Sequence, residues 1–173
     1  MVKFEATKEE DLDEILEIYN YYILNSTATF SIEPLEKDEM RKIMFSGLER
    51  FRSFVMRLDG VIAGYVLLSR YKPREAYDRT AEVTVYLRHT LVGKGLGTQA
   101  LKFIQQFAVE NNFRALLGVI CAENLESIAL FEKHGFFQCA HFKQVGEKFG
   151  RILDVVIEEK LSTKNNFNYH RIV

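Results

Sequence analysis

The sequence holds little of what marks a membrane, secreted or nucleic-acid-binding protein. No apolar run in its 173 residues approaches the ~20 residues needed to span a bilayer. The opening Met1-Val2-Lys3-Phe4-Glu5 has no extended apolar segment followed by a small-residue cleavage site, which predicts a soluble, cytoplasmic protein with no membrane partner. Charge is nearly balanced, with 23 Lys and Arg against 24 Asp and Glu. The basic surplus that displaces counterions from phosphates is missing, so a nucleic-acid partner is not expected. Cysteine is scarce. Cys121 and Cys139 form neither a CxxC pair nor a zinc-spaced cluster, and a reducing compartment disfavours a disulfide between them. His89, His134, His141 and His170 are isolated, so no metal site is predicted. Repeats and low-complexity segments are absent.

What is present is an ordinary globular balance, 47% apolar and 27% charged residues. At roughly 150 residues per domain, the chain is one domain, residues 1–161, with a polar tail over 162–173 that has little periodicity. Val2 to Ala6 alternates like a strand. Thr7 and Glu10 have capping-box spacing before a helix whose stripe is Leu12, Ile15, Leu16, Tyr19, Tyr22 and Ile23. A loop and a second amphipathic helix, Leu35 to Ser46, follow. Ser53–Leu58 and Val61–Ser69 read as strands joined by an Asp59-Gly60 hairpin turn.

Beyond a charged loop, Tyr71 to Asp78, the stretch Thr80–Arg88 alternates cleanly, with Glu82, Thr84 and Tyr86 on its polar face. Gly93, Gly95 and Gly97 lead into a helix. Ala115–Cys121 is the apolar run of a strand buried on both faces. Asn124 and Gly135 fit the cap positions of a short helix, and Phe136–Val145 with Gly150–Glu159 form a closing strand pair. The order β-α-α-β-β-β-α-β-α-β-β predicts a mixed α+β sandwich with one glycine-marked strand–helix junction near its middle.

That junction suits a phosphate, because glycines let the backbone turn its N–H groups inward and a helix N-terminus adds positive potential. A Walker A loop is excluded: Gly93-Lys94-Gly95 lacks both the preceding glycine and the following hydroxyl. Gly95-Leu96-Gly97-Thr98-Gln99-Ala100 does fit a dinucleotide fingerprint, with Glu123 as a possible ribose-binding acid, although only one βαβ unit can be built around it. A purely structural glycine turn is the bland alternative.

Separated motifs in matching order point to a third reading. Tyr71-Lys72-Pro73-Arg74-Glu75-Ala76-Tyr77-Asp78-Arg79-Thr80-Ala81-Glu82-Val83-Thr84-Val85-Tyr86 resembles the phosphinothricin and methionine-sulfoximine branch of the GNAT acetyltransferases. So do Ile18-Tyr19-Asn20, Asn25 to Phe30, Asn124, Ser127-Ile128, His134-Gly135-Phe136, and Val145 to Arg151 with Asp154. The resemblance covers residues 2 to 160 or so. It implies the GNAT fold: a mostly antiparallel sheet with a splayed central strand pair and flanking helices. It also implies acetyl-CoA as cosubstrate, a small-molecule amine as partner, and a homodimer. By the same resemblance Val85, Tyr86 and Leu87 pair with the pantetheine arm, and Gly93, Lys94, Gly95, Leu96, Gly97 and Thr98 hold the pyrophosphate. Asn124 then contacts the cosubstrate near its reactive end. The sequence departs from the family pattern at Val92, at His89-Thr90, at Phe131 in place of a tyrosine acid, and at Arg79 in place of a tryptophan.

Glu82 is the candidate base, since amine acetylation needs a neutral amine; the bland alternative is a salt bridge to Arg79 or Lys72. Arg74 is the favoured grip on a substrate carboxylate, with Lys72 beside it, and Phe30 and Tyr77 are candidate pocket walls. Lys148 and Arg151 suit a subunit interface or the substrate mouth. The expected activity is direct acetyl transfer from acetyl-CoA to the α-amine of a small amino acid or analogue. Alternatives are acetylation of a protein N-terminus or an amine-bearing antibiotic, and a non-catalytic acyl-CoA sensor.

Overall fold

The Asp59-Gly60 pair sets the first hairpin. In the computed structural model, which describes residues 1–162, Asp59 (φ 51°) and Gly60 (φ 86°) both take positive φ, and Leu58 pairs with Val61 across them. This is the two-residue turn whose twist matches that of its strands. It joins β2 (Ser53–Leu58) to β3 (Val61–Arg70). Strand β1 (Lys3–Ala6) lies antiparallel to β2, and β4 (Thr80–Leu87) antiparallel to β3. Next comes β5 (Ala115–Cys121), parallel to β4, then the hairpin of β6 (Phe137–Lys148) and β7 (Arg151–Leu161). The seven strands run in the order β1-β2-β3-β4-β5-β7-β6. The tail expected from Ser162 onward lies, past that residue, outside the described residues.

Helices cover both faces, as the alternation in β4 requires. On one, α1 (Leu12–Asn25) and α2 (Lys37–Met44) place Leu12, Ile15, Ile18, Met40 and Met44 against Val55, Ile62, Tyr65 and Leu67. On the other, α3 (Leu96–Glu110) and α4 (Leu125–Lys133) bury Ala100, Leu101, Ile104 and Phe131 against Val66, Leu68, Ala81 and Val83. This is the expected mixed sandwich.

Three local expectations differ from the structure. The capping box at Thr7 and Glu10 does not form. Asp11 instead accepts the Lys8 N–H at 2.8 Å and pairs with Arg57 of β2, leaving the buried Thr7 Oγ1 without a hydrogen-bond partner among the described residues. Helix α2 starts later than Leu35, because the Asn20 side chain engages both the Leu35 N–H (2.9 Å) and its carbonyl (3.0 Å) and holds that residue outside the helix. Strand β5 is not buried on both faces throughout: Val119 is 45% exposed.

The exposure of Val119 follows from the splay at the centre of the sheet. Pairing between β4 and β5 runs only from Thr80↔Ala115 to Glu82↔Leu117, although both strands continue. Arg88 donates its N–H to the Ala63 carbonyl at 2.8 Å, towards β3. Backbone groups alternate in direction along a strand, so Val83, Val85 and Leu87 turn theirs to the other side. There the gap replaces β5.

Candidate active site

The gap opens into a cavity of about 730 Å³. Its walls are β4 from Glu82 to Leu87, the loop Thr27–Phe30, the glycine loop, and the first turns of α4. Of the residues singled out from sequence, Glu82, Val85, Tyr86, Leu87, Gly93, Gly95, Leu96, Gly97, Thr98, Asn124 and Phe30 all line it. The structure brings these together. Lys94 is exposed beside the glycine loop, and Lys72, Arg74 and Tyr77 stand on the exposed loop before β4, away from the lining.

Glu82 is on the face of β4 that looks towards α1 and α2, in step with Thr84 and Tyr86. Burial pushes its carboxyl above the ordinary glutamate value, and the Lys72 ammonium pulls in the opposite direction. Desolvation makes the carboxylate a stronger base, while the remote cation keeps its ionised form accessible. Lys72 lies over the Tyr71 ring at 5.1 Å, and Tyr71 meets Tyr77 edge to face. Arg74 precedes the single turn Glu75–Tyr77. Arg79 donates to the Asn112 carbonyl at 3.0 Å.

Around Glu82 the wall is tyrosine-rich. Tyr86 donates to the Ala28 carbonyl at 2.9 Å, Tyr22 to the Leu87 carbonyl at 2.8 Å, and the Tyr19 and Thr29 hydroxyls meet at 2.7 Å. Tyr19 packs edge-on against Tyr86, and burial raises the Tyr86 phenol far beyond its usual value. Sequence reasoning placed Tyr19 and Tyr22 in the apolar stripe of α1. Their hydroxyls were the signal that this stripe also faces a polar site. Tyr22 uses the Leu87 carbonyl, and by the alternation of the strand the Val85 N–H points to the same, splayed side.

The glycine loop divides its labour. Gly93 (φ 77°) and Gly95 (φ 74°) make left-handed turns that an L side chain rarely adopts, and Gly95 is the N-cap of α3. Gly97 serves packing: a Cβ there would come within 2.8 Å of Leu130 Cδ2 on α4. Asn124 caps α4 by accepting the Ser127 N–H at 3.1 Å, so only its Nδ2 amide remains for a ligand. Phe131 is buried, faces the cavity, and is pressed so closely on Gly118 that a Cβ there would be 2.4 Å from its ring. It has no proton to give. Cys121 also lines the cavity, and both cysteines are free thiols.

The arrangement discriminates between the readings of the glycine junction. Glu123 is engaged by Arg151 and by the Thr27 hydroxyl at 2.8 Å, so it is committed elsewhere than a ribose. The sheet has one short parallel pair rather than a doubly wound core. By contrast, the groups fit an acyl-CoA. Amides at a helix start suit a diphosphate, an open strand edge suits an extended amide-bearing arm, and a desolvated carboxylate stands where the two walls converge. Among the described residues no cluster of His, Cys, Asp or Glu could hold a metal ion.

Comparison with known proteins gives the same answer. Residues 4–157 match the model of the acetyltransferase (GNAT) domain family. The chain is 32% identical over 160 residues to the phosphinothricin N-acetyltransferase of Alcaligenes faecalis, covering 90% of this chain and 80% of that protein. It is 31% identical over 147 residues to the L-methionine sulfoximine/L-methionine sulfone acetyltransferase of Pseudomonas paraeruginosa, covering 84% of this chain and 86% of that protein. The crystal structure of a GNAT superfamily phosphinothricin acetyltransferase from Sinorhizobium meliloti in complex with AcCoA superposes with a TM-score of 0.88 at 28% identity, covering 92% of this chain and 88% of that one. The chain belongs to the GNAT acetyltransferase family, whose acyl donor is acetyl-CoA.

Proposed function

We propose that this enzyme acetylates the α-amine of a small amino acid or amino-acid analogue by direct transfer within a ternary complex. The observation that carries the reading is Glu82: a carboxylate made more basic by burial, on the cavity wall three residues from Val85 on the splayed strand edge. Acetyl-CoA supplies an acyl group activated as a thioester. The amides of Gly93 to Thr98 hold its diphosphate, and the backbone of Val85 to Leu87 aligns its arm. Glu82, directly or through a water, takes the proton that the substrate ammonium must lose before its nitrogen can attack. The Val85 N–H is a preorganised donor for the oxygen on which negative charge grows. No cysteine serves as a covalent carrier in this reading, and with Phe131 at the wall the departing thiolate takes its proton from solvent.

The relatives' names point to acceptors that carry an α-amine and a carboxylate together. Among the described residues the charged side chains lining the cavity are Glu82 and Glu126. The cation for a substrate carboxylate therefore comes from the loop before β4, where Lys72 is felt electrostatically by Glu82 and Arg74 has the geometry for a bidentate grip. Phe30 flanks the acceptor within the cavity, and Tyr77 belongs to the loop outside it. The working unit in this reading is a cytoplasmic homodimer, supported by the apolar side chains exposed on the terminal hairpin: Phe142 (47%), Val145 (57%) and Ile152 (66%).

A thiol-release assay with acetyl-CoA tests the function. The panel contains amino acids, methionine sulfoximine, phosphinothricin, peptide N-termini and amine antibiotics. Turnover confined to free amino acids or their analogues is the expected result. Turnover confined to peptides or antibiotics reassigns the substrate, and acetyl-CoA binding without any turnover makes the protein a sensor.

A further inference from the structure

The tip of the β6–β7 hairpin is fastened to the loop between α1 and α2 by groups that take no part in the chemistry above. Lys148, at the end of β6, is 3% exposed. Its Nζ donates to the carbonyls of Ser26 at 2.9 Å and Thr29 at 2.8 Å. A buried ammonium is a costly way to hold a hairpin, since its desolvation is offset here by backbone carbonyls rather than by a carboxylate. What it does achieve is to pin both ends of a four-residue turn.

Two further contacts reach the same segment. The Phe30 ring lies against Gly146, so closely that a Cβ there would be 2.1 Å from it. Arg151 of the hairpin pairs with Glu123, which accepts the Thr27 hydroxyl. The segment so held presents Thr27, Ala28, Thr29 and Phe30 to the cavity. It faces the side of β4 that carries Glu82 and Tyr86, across the sheet from α3 and the glycine loop. Tyr86 ties Ala28 to that strand at 2.9 Å.

The geometry points to Lys148 as a positioning residue for the amine acceptor: by fixing the turn 26–30, with Phe30 seated on Gly146, it sets the shape of the acceptor side of the cavity and leaves the acetyl-CoA side untouched. This rests on the reading that the Glu82 face receives the amine. The sequence offers Lys148 for the substrate mouth, but its contact with Ser26, 122 residues away, is not written in any local spacing.

The test uses Lys148→Met, which keeps the unbranched side chain out to Cε and removes the ammonium donors, and Gly146→Ala, which displaces Phe30 without changing any charge. Both are compared with the wild type in steady-state kinetics on the best amine of the panel. Hydrogen exchange of the amides of residues 26–31 and 93–98 is measured alongside. Lys148→Met should raise KM for the amine tenfold or more, leave KM for acetyl-CoA within twofold, and speed exchange only in residues 26–31. Gly146→Ala should shift amine KM or selectivity in the same one-sided way. Equal effects on both substrates, or unchanged amine KM with unchanged exchange, overturn the proposal. Should Lys148→Met fail to fold, Gly146→Ala decides alone, and an unaltered amine KM in that variant overturns it. If the wild type turns over no amine, the proposed activity falls, while faster or unchanged exchange in residues 26–31 still supports or overturns the role of Lys148 in holding the turn.

Discussion

Glu158 offers a quantitative test of the packing account. It sits on β7 two residues beyond the core residue Val156, is fully buried at 0% exposure, and neither carboxyl oxygen has a hydrogen-bond partner among the described residues. Burial raises its pKa, and the nearby Glu132 charge adds to the rise. For an acid whose folded pKa lies above its unfolded value, the unfolded chain releases the proton first. Stability is then lost as pH climbs from the unfolded value of 4.5 through the folded one. Glu158→Gln keeps the size and polarity but cannot ionise. The stability difference between variant and wild type should therefore be constant at low pH and, above about pH 4.5, shift in the variant's favour by up to about 1.4 kcal/mol per pH unit until the folded carboxyl has titrated. The glutamine amide leaves the same site unsatisfied at every pH, so the pH-dependent change in the difference, in the variant's favour, isolates the ionisation of Glu158. With a urea slope of roughly 2 kcal/mol/M, about 1.4 kcal/mol per pH unit is a midpoint shift of about 0.7 M per unit of titration. The assay is urea unfolding of both proteins at pH 5 and pH 8, with equal slopes required. A difference that is the same at both pH values, or one that moves in the wild type's favour from pH 5 to pH 8, would refute the reasoning.

Other consequences concern the glycine loop and the electrostatics of the base. Gly97→Ala brings a Cβ against the end of the partly buried Leu130 side chain, so its effect on stability should couple to Leu130→Ala by about 0.5 kcal/mol or more in a double-mutant cycle of thermal or urea unfolding. Gly95→Ala, where φ is 74° and the space around it open, should cost about 1 kcal/mol from backbone strain alone and reduce the thermal shift given by acetyl-CoA. Lys72→Met removes the charge that lowers the Glu82 pKa, so the acidic limb of the kcat/KM profile should move to higher pH; a shift to lower pH would contradict the assigned interaction.

The parts of this molecule that were legible in its sequence are those whose causes are local. Asp59-Gly60 needs no distant partner to take positive φ, the alternation of β4 is written into every second residue, and Asn124 caps α4 three residues away. Errors arose where a distant group outcompeted a local one. Asp11 rather than Thr7 organises the entry to α1, because Arg57 lies 46 residues on, and Asn20 delays α2 by engaging Leu35. The site divides in the same way. The glycine loop, Glu82 and Asn124 carry short-range signatures, and all reach the cavity. The acceptor wall is built by Tyr19 and Tyr22 of α1 meeting Tyr86 of β4, and by Lys148 and Gly146 closing on a turn more than a hundred residues earlier in the chain. No linear spacing encodes those contacts. Gly97 is legible as part of the glycine loop, while its close approach to Leu130 on α4 is not.

The central claim is that Glu82 is the base of an acetyl transfer to an amine. Its most direct test is the pH–rate profile of thiol release from acetyl-CoA for the wild type and Glu82→Gln, on the best amine found, with acetyl-CoA affinity measured in parallel. The account predicts an unchanged affinity, a rate lower by ~10²–10⁴-fold at neutral pH, and loss of the acidic limb that the wild type shows above the ordinary glutamate value. Wild-type rates in Glu82→Gln, with the same acidic limb, would contradict it.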